Sequence, residues 1–277
     1  MISGKTLLLA HIGYPTESFK APLIYNPWFD KAGIDAVVVP MGVKAEDYPA
    51  TLKVLSRFTN LRGALVTMPH KVTTVGLVDE CTTTAKIAGS CNAVLLRPDG
   101  TLLGDMFDGT GFTRGLRRKG FVFAGARCLV VGSGGVGSAI AASLAAEGVA
   151  SLSLCDTNVD SVEGLAARLR QHYPKIAVDI GSSDPAGYDL VVNGTPLGMK
   201  SSDPLPIDVT RLAPSTFVGE VVMKQEITPL LQAAREKGCR YQVGTDMLFE
   251  MIPAYLEFFG FGTATPEQLR AVARVAY

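Results

Sequence analysis

One stretch limits what this chain can fold into more than any other. Residues 128–146, CLVVGSGGVGSAIAASLAA, run without a charge. A membrane-spanning helix wants about 20 predominantly apolar residues. Here Gly132, Ser133, Gly134, Gly135, Gly137 and Ser138 crowd the first half, so strand, turn and helix is the better reading. Cys128–Val131 supplies the strand and Val136–Ala146 the helix. Between them Gly132-Ser133-Gly134-Gly135-Val136-Gly137 fits G-x-G-x-x-G. In that pattern the first glycine permits the tight turn, the second lets backbone approach a pyrophosphate, and the third lets helix pack on strand. The helix N-terminus adds unpaired N–H groups and a positive dipole end. Alone the pattern is weak, but a second strand follows and ends at Cys155-Asp156. Asp156 falls 19 residues after Gly137, where a dinucleotide-binding fold wants a carboxylate for the ribose hydroxyls. Asp156 also reads as the capping residue of the turn Asp156-Thr157-Asn158. An acid there repels a 2′-phosphate, which favours NAD over NADP.

Around this unit the chain alternates strand-like and helix-like runs, the pattern of an α/β protein with parallel strands. Strands are predicted at Leu7–Ile12, Ala36–Val43, Gly63–Met68, Ala93–Arg97 and Leu102–Gly104. The last two flank the turn signal Pro98-Asp99-Gly100. A second series has strands at Arg127–Val131, Ser151–Cys155, Ile176–Ile180, Leu190–Asn193 and Phe217–Gly219. Helices are predicted at Pro22–Ala32, Ala45–Phe58, Val136–Glu147, Val159–Tyr173, Thr228–Lys237, Thr245–Phe259 and Pro266–Ala276. A length of 277 residues allows two domains. Lys+Arg and Asp+Glu are 26 each, so there is no basic footprint for nucleic acid and no polybasic surface for a membrane. With 47% apolar residues the chain is not a disordered one. Thr6–Ala10 is too short for a signal-peptide core, and the expected location is the cytoplasm. Five scattered cysteines without a C-x-x-C suit a reducing compartment, and His11, His70 and His172 are too dispersed for a metal cluster, so no metal is expected.

Three segments are too polar for simple core strands: Val66–Lys71, Ala88–Ala93 and Gly104–Gly109. Each puts a polar residue at the end of an apolar strand or beside glycine, and Lys71, Asn92 and Asp108 are the candidates. A lysine and an aspartate near a nicotinamide can manage the proton that must leave a hydroxyl as hydride departs. Singly, each also reads as a solvated loop charge.

Together, and in this order, the segments resemble the shikimate dehydrogenase family, with its V-T-x-P-x-K, A-G-x-x-N-T and G-x-N-T-D-G segments before a Gly-rich nucleotide loop. Further matches are Gly13-x-Pro15 with Lys20-x-Pro22, Val192-Asn193-Gly194-Thr195 with Gly198-Met199, Thr228-Pro229-Leu230-Leu231, and Gly244 with Met247-Leu248. The resemblance runs over nearly the whole chain. It implies an α/β architecture with a split substrate domain, residues 1–108 and 245–277, on a mostly parallel sheet, and a Rossmann-type NAD(P)-binding domain, residues 109–244. It implies Lys71 and Asp108 as the catalytic pair on the substrate hydroxyl, with Asn92 and Thr67 on ring hydroxyls. On the cofactor it implies Gly132, Ser133, Gly134, Gly135, Val136, Gly137, Asp156, Thr195, Met223 and Gly244.

The departures are as informative as the matches. The family's Ser-x-Ser-Pro, whose hydroxyls hold the substrate carboxylate, aligns with Phe19-Lys20-Ala21-Pro22. Both hydroxyls are gone, and Ser18 and Lys20 are the nearby groups that could substitute. An Asn before V-T is Leu65, Asn-Thr of the aspartate motif is Met106-Phe107, a Tyr is Met223, and the Gln of the closing helix is Met251. The Asn-Arg-Thr of NADP-using members is Cys155-Asp156-Thr157. The substrate pocket, which Phe19, Ala21 and Met251 would line, is therefore expected to be more apolar.

The sequence thus points to an oxidoreductase that moves hydride reversibly between NAD(P), with NAD preferred, and a ring hydroxyl of shikimate, 3-dehydroshikimate or a related cyclic hydroxy acid. Two rivals stand beside it. One is a dehydrogenase of the same fold acting on quinate, an amino analogue or another ring; the other is a cofactor-binding regulator without turnover. Retention of Lys71 and Asp108 argues against the regulator. The expected partners are a small-molecule substrate and, at most, a second copy of the chain, as monomer or homodimer.

Overall fold

The short β-branched and leucine-rich runs that alternate with helical segments assemble, in a computed structural model, into two six-stranded sheets. The structure describes residues 2–17, 19–200 and 202–274. Each sheet belongs to its own compact unit: one holds the chain up to Phe107 and from Ile252 onward, the other Asp108–Met251. The sequence reading set the return to the first domain at residue 245. The division falls instead inside one continuous helix, between Met251 and Ile252.

The first unit contains β1 (Leu7–Gly13), α1 (Pro22–Ala32), β2 (Ala36–Gly42), α2 (Tyr48–Leu55), β3 (Leu61–Val66), α3 (Lys71–Thr74), β4 (Glu80–Cys81), α4 (Thr83–Ala88), β5 (Ala93–Leu96) and β6 (Leu102–Asp105). Strand order is β2-β1-β3-β5-β6-β4. β1 runs parallel to β2 and β3, whereas β5 is antiparallel to both β3 and β6. The reversal between β5 and β6 follows from the hairpin at Pro98-Asp99-Gly100, where the Asp99 carboxylate accepts the Thr101 N–H at 2.9 Å. Ala10, Ile12, Ala64 and Val66 pack under Tyr48, Leu52 and Leu55 of α2. The core therefore lies directly beneath the strand ends that carry Gly13 and Thr67.

The second unit contains α5 (Asp108–Arg118), β7 (Arg127–Val131), α6 (Gly135–Ala146), β8 (Ser151–Cys155), α7 (Val159–His172), β9 (Ala177–Ile180), β10 (Leu190–Asn193), β11 (Phe217–Glu220), α8 (Pro229–Glu236), β12 (Arg240–Gln242) and the start of α9 (Gly244–Phe259). Its sheet is wholly parallel, in the order β12-β11-β10-β7-β8-β9. Read from β9, this is the 3-2-1-4-5-6 order of a doubly wound dinucleotide fold, with the direction of winding changing between β7 and β10. The short α10 (Pro266–Arg270) belongs to the first unit. It ends before the predicted Ala276, which lies outside the described residues.

Sequence reading missed α5, α3, α4, β4 and β12. In α5 the reason is composition: Gly109, Gly111 and Gly115 make a poor intrinsic helix. Their lack of a side chain is what lets neighbours close in. A methyl on Gly109 would lie 2.0 Å from the Ala139 carbonyl oxygen of α6, and one on Gly115 would lie 2.6 Å from the Gln242 amide oxygen. Alanine is the better helix former by about 1 kcal/mol, but overpacking a tight contact costs about 1–3 kcal/mol. Gly109→Ala is therefore expected to lower the urea midpoint. An unchanged or higher midpoint would show that the α5–α6 contact yields freely.

Candidate active site and nucleotide cradle

The nucleotide side is built on the ends of β7 and β10. Gly132 follows β7 with a positive φ of 101°, and its N–H donates to the Cys155 carbonyl at 2.7 Å. A methyl on it would lie 2.7 Å from Gly194, which follows β10, and 2.9 Å from the Thr195 methyl. Gly137 sits even closer: its added methyl would stand 1.9 Å from the Gly132 carbonyl oxygen. Gly134, by contrast, is exposed and would meet nothing, leaving open space over the N-terminus of α6. Ser133 carries a buried hydroxyl with no hydrogen-bond partner within the protein.

The Asp156 carboxylate takes the Ser133 N–H inside the loop and, at 2.8 Å, the Asn158 N–H in its own turn. It thus serves as the turn residue that one sequence reading expected, and it lies against the glycine loop. Thr195 is held by Asn193, its hydroxyl donating to the Asn193 amide oxygen at 2.6 Å. Met223 is half-buried after β11, and Gly244 opens α9 with no room for a side chain against the Val222 carbonyl. Open backbone at Gly134, an unpartnered Ser133 hydroxyl, a helix N-terminus and an adjacent carboxylate together suit the phosphates and ribose of NAD(P).

Sequence reasoning missed the residue that ties this side together. Glu220 is fully buried at the end of β11, in register with Asn193. Its carboxylate accepts the Asn193 amide at 2.9 Å, the Val221 and Val222 N–H groups at 2.8 and 3.0 Å, and the Thr228 hydroxyl at 2.8 Å. Burial outweighs these donors and raises its pKa. The only sequence signal was an acid directly after an apolar strand.

The substrate side of the first unit gathers at the ends of β1 and β3. A methyl on Gly13 would lie 2.4 Å from the Thr67 methyl, 2.8 Å from the Phe19 ring and 2.9 Å from the Met68 carbonyl oxygen. Phe19 stacks on His11, ring centroids 4.1 Å apart. Burial and the nearby Lys71 charge drive the His11 pKa down to about 4, which keeps its ring neutral. Its Nδ1 is buried without a partner, a state that costs about 1–3 kcal/mol.

Lys71 itself opens α3 in a turn anchored from several directions. Its carbonyl accepts the Cys91 N–H at 2.8 Å. The preceding His70 is buried flat against Tyr48, with centroids 4.1 Å apart and planes at 15°, and its Nε2 meets the Val43 carbonyl at 2.8 Å. Asn92 joins the same set: its carbonyl accepts the Val66 N–H at 2.8 Å, and its side-chain oxygen accepts the Phe107 N–H at 2.9 Å. Phe19, Thr67, Lys71 and Asn92 thus belong to one neighbourhood. Ala21 caps α1 without a side-chain hydrogen bond, and Ser18 lies outside the described residues.

Two expected members stand in the second unit. Asp108 is buried as the first residue of α5. Met251, half-buried on α9, packs against Gly111.

Residues 11–94 match the family model described as "Shikimate dehydrogenase substrate binding domain". A curated relative, shikimate dehydrogenase (NADP(+)) of Acidiphilium cryptum, is 34% identical over 99% of this chain and 98% of its own. The chain belongs to the shikimate dehydrogenase family. Among solved structures, shikimate 5-dehydrogenase from Listeria monocytogenes in complex with shikimate and NAD superposes with a TM-score of 0.91 at 25% identity, covering 98% of this chain and 97% of that one. Quinate dehydrogenase from Corynebacterium glutamicum in complex with NAD gives a TM-score of 0.86 at 28% identity, covering 96% and 98%. Family membership accounts for the order of the motifs and for both sheets. Among the described residues, no helix is long and apolar enough to cross a membrane.

Proposed function

We propose that this family member catalyses reversible hydride transfer between NAD(P) and a ring carbon bearing a hydroxyl, on shikimate or a closely related cyclic hydroxy acid. The observation that carries the reading is the convergence of Thr67, Lys71 and Asn92 in one unit, together with the presence in the other unit of a glycine loop suited to a dinucleotide. When bound, NAD(P) accepts or supplies the hydride. In oxidation Lys71 Nζ takes the proton of the reacting hydroxyl, and in reduction it returns that proton. Asp108 is the second member of the catalytic pair, assigned to the same hydroxyl by the family resemblance. Asn92 and Thr67 hold neighbouring ring oxygens. A screen of shikimate and quinate with both nicotinamides, followed by absorbance of the reduced cofactor, tests the reading. No turnover with any pairing would remove it.

Quinate is the second reading. The quinate dehydrogenase noted above shares the fold at 28% identity.

NAD is the preferred cofactor in this proposal. Curated relatives are named for NADP, whereas the Listeria and Corynebacterium structures hold NAD. What supports NAD here is Asp156, whose carboxylate lies against the glycine loop. A 2′-phosphate beside it would meet a like charge, and unit charges 4 Å apart repel by about 4 kcal/mol at an effective dielectric of 20. Arg170, on the following helix, donates to the Val178 carbonyl at 2.7 Å and so is engaged at β9. The expected result is kcat/KM at least about tenfold higher with NAD than with NADP, a gap that narrows in Asp156→Ala. A clear NADP preference in the wild type would overturn the assignment.

A further inference from the structure

A carboxylate at the end of β6 has no part in the proposed reaction, yet the turn that presents Asn92 is built on it. Leu102, Leu103 and Gly104 make an apolar strand, and Asp105 closes it half-buried, opposite Ala93 of β5. Burial raises the pKa of its carboxyl, against the donors that favour the charge. An apolar residue would end the strand without that cost, so the donors show what the carboxylate is for. Its Oδ1 accepts the Met106 N–H at 2.7 Å and the Thr82 hydroxyl. Thr82 is also the cap of α4, its hydroxyl oxygen accepting the Ala85 N–H at 3.3 Å. One oxygen thus pins the start of α4 to the turn at residues 105–107.

That turn sets Asn92 in its place. The Asn92 N–H donates to the Asp105 carbonyl and the Phe107 N–H to the Asn92 side-chain oxygen, both at 2.9 Å. An N–H is met only by the oxygen of an amide, so Phe107 decides which way round the Asn92 amide lies. Its Nδ2, a donor with two hydrogens, is turned the other way. From its cap, α4 runs on through residues 89–91 and returns to Asn92. The segment that enters Asn92 and the turn that faces it therefore both hang on Asp105.

We propose that Asp105 is a positioning residue for the substrate: by fixing the turn at residues 105–107 on Thr82, it holds the Asn92 amide in the one orientation that donates to a ring oxygen. Asp105 acts through Asn92 and touches no reacting atom. The inference rests on the ring-hydroxyl dehydrogenase reading, in which Asn92 holds such an oxygen.

The test is steady-state kinetics on shikimate and quinate, below the Tm of every variant. The proteins are the wild type, Asp105→Ala, Asp105→Glu, Asp105→Asn, Asn92→Ala and the double variant Asp105→Glu/Asn92→Ala. Asp105→Ala removes the acceptor, and Asp105→Glu keeps the charge but carries it one methylene too far. Each is expected to raise KM for the ring substrate about tenfold, the size of one lost hydrogen bond, with kcat and the nicotinamide KM changed by less than about twofold. Asp105→Asn, whose amide oxygen can take the same two donors, should stay within about threefold of wild type. On top of Asn92→Ala, Asp105→Glu should add less than about twofold to KM, because two residues that act through one contact are not additive. A general loosening of the fold would instead multiply the two losses and shift the nicotinamide KM as well. Should Asp105→Ala fail to fold, the contrast of Asp105→Glu with Asp105→Asn still decides. An unchanged KM in Asp105→Glu, an equal loss in Asp105→Asn, or multiplied losses in the double variant overturns the assignment, while wild-type turnover leaves the dehydrogenase reading standing. Absence of wild-type turnover on both rings overturns both.

Discussion

Replacing Lys71 with alanine is expected to lower kcat on the ring substrate by about 10²–10⁴-fold, the range for removing a positioned acid–base group. Nicotinamide affinity should stay nearly constant, because the glycine loop and Asp156 belong to the other unit. The turn should also survive, since its anchors are independent of the lysine ammonium. They are the Lys71 carbonyl on the Cys91 N–H, the stack of His70 on Tyr48, and the Tyr48 and Thr74 hydroxyls 2.8 Å apart. Turnover numbers with saturating cofactor, alongside cofactor binding by fluorescence, give the answer. Wild-type kcat in the variant would mean that the proton leaves by another group.

The second large effect concerns folding. Glu220→Ala removes the acceptor of four buried or half-buried donors at once, and an orphaned buried donor costs about 1–3 kcal/mol. A loss of about 3–5 kcal/mol is expected in denaturant unfolding, followed by weakened cofactor binding as Asn193 and Thr195 lose their fixed geometry. Charge and contact can be separated by pH. Burial raises the Glu220 pKa in the folded state above its unfolded value. Its contribution to stability is then fully present below the unfolded pKa, near ~4.3, and is lost as pH rises through the higher folded value. The stability of wild type relative to Glu220→Gln should therefore fall as pH rises above about 4. A margin that grew with pH would show that the donors, rather than burial, govern this carboxylate.

What was legible in the sequence was what short-range chemistry decides. Apolar alternation placed β1, β7, β8 and β10, the helix α1 was expected at Pro22–Ala32, and the glycine run 132–137 placed the turn between β7 and α6. What was not legible depends on neighbours far away in the chain. Gly109, Gly111 and Gly115 read as helix breakers until α6, α9 and Gln242 close on them. Glu220 and His11 read as ordinary polar residues because burial is a property of the fold, and neither burial nor a missing partner can be seen in a string of letters. The catalytic candidates became legible only as an ordered set, since a lysine, an asparagine and an aspartate after apolar runs are each commonplace alone.

The switch between β7 and β10 also separates two kinds of evolutionary freedom. The approach of Gly132 to Gly194 and Gly137 is made by main chain on main chain, so side-chain drift cannot widen or narrow it, and almost any larger residue there is lethal to the geometry. In the proposed function, the choice between two nicotinamides belongs to one side chain a strand away, Asp156, which follows β8. Because the Asp156 carboxylate also accepts the Ser133 N–H of the glycine loop, an exchange at that position is felt by the loop as well.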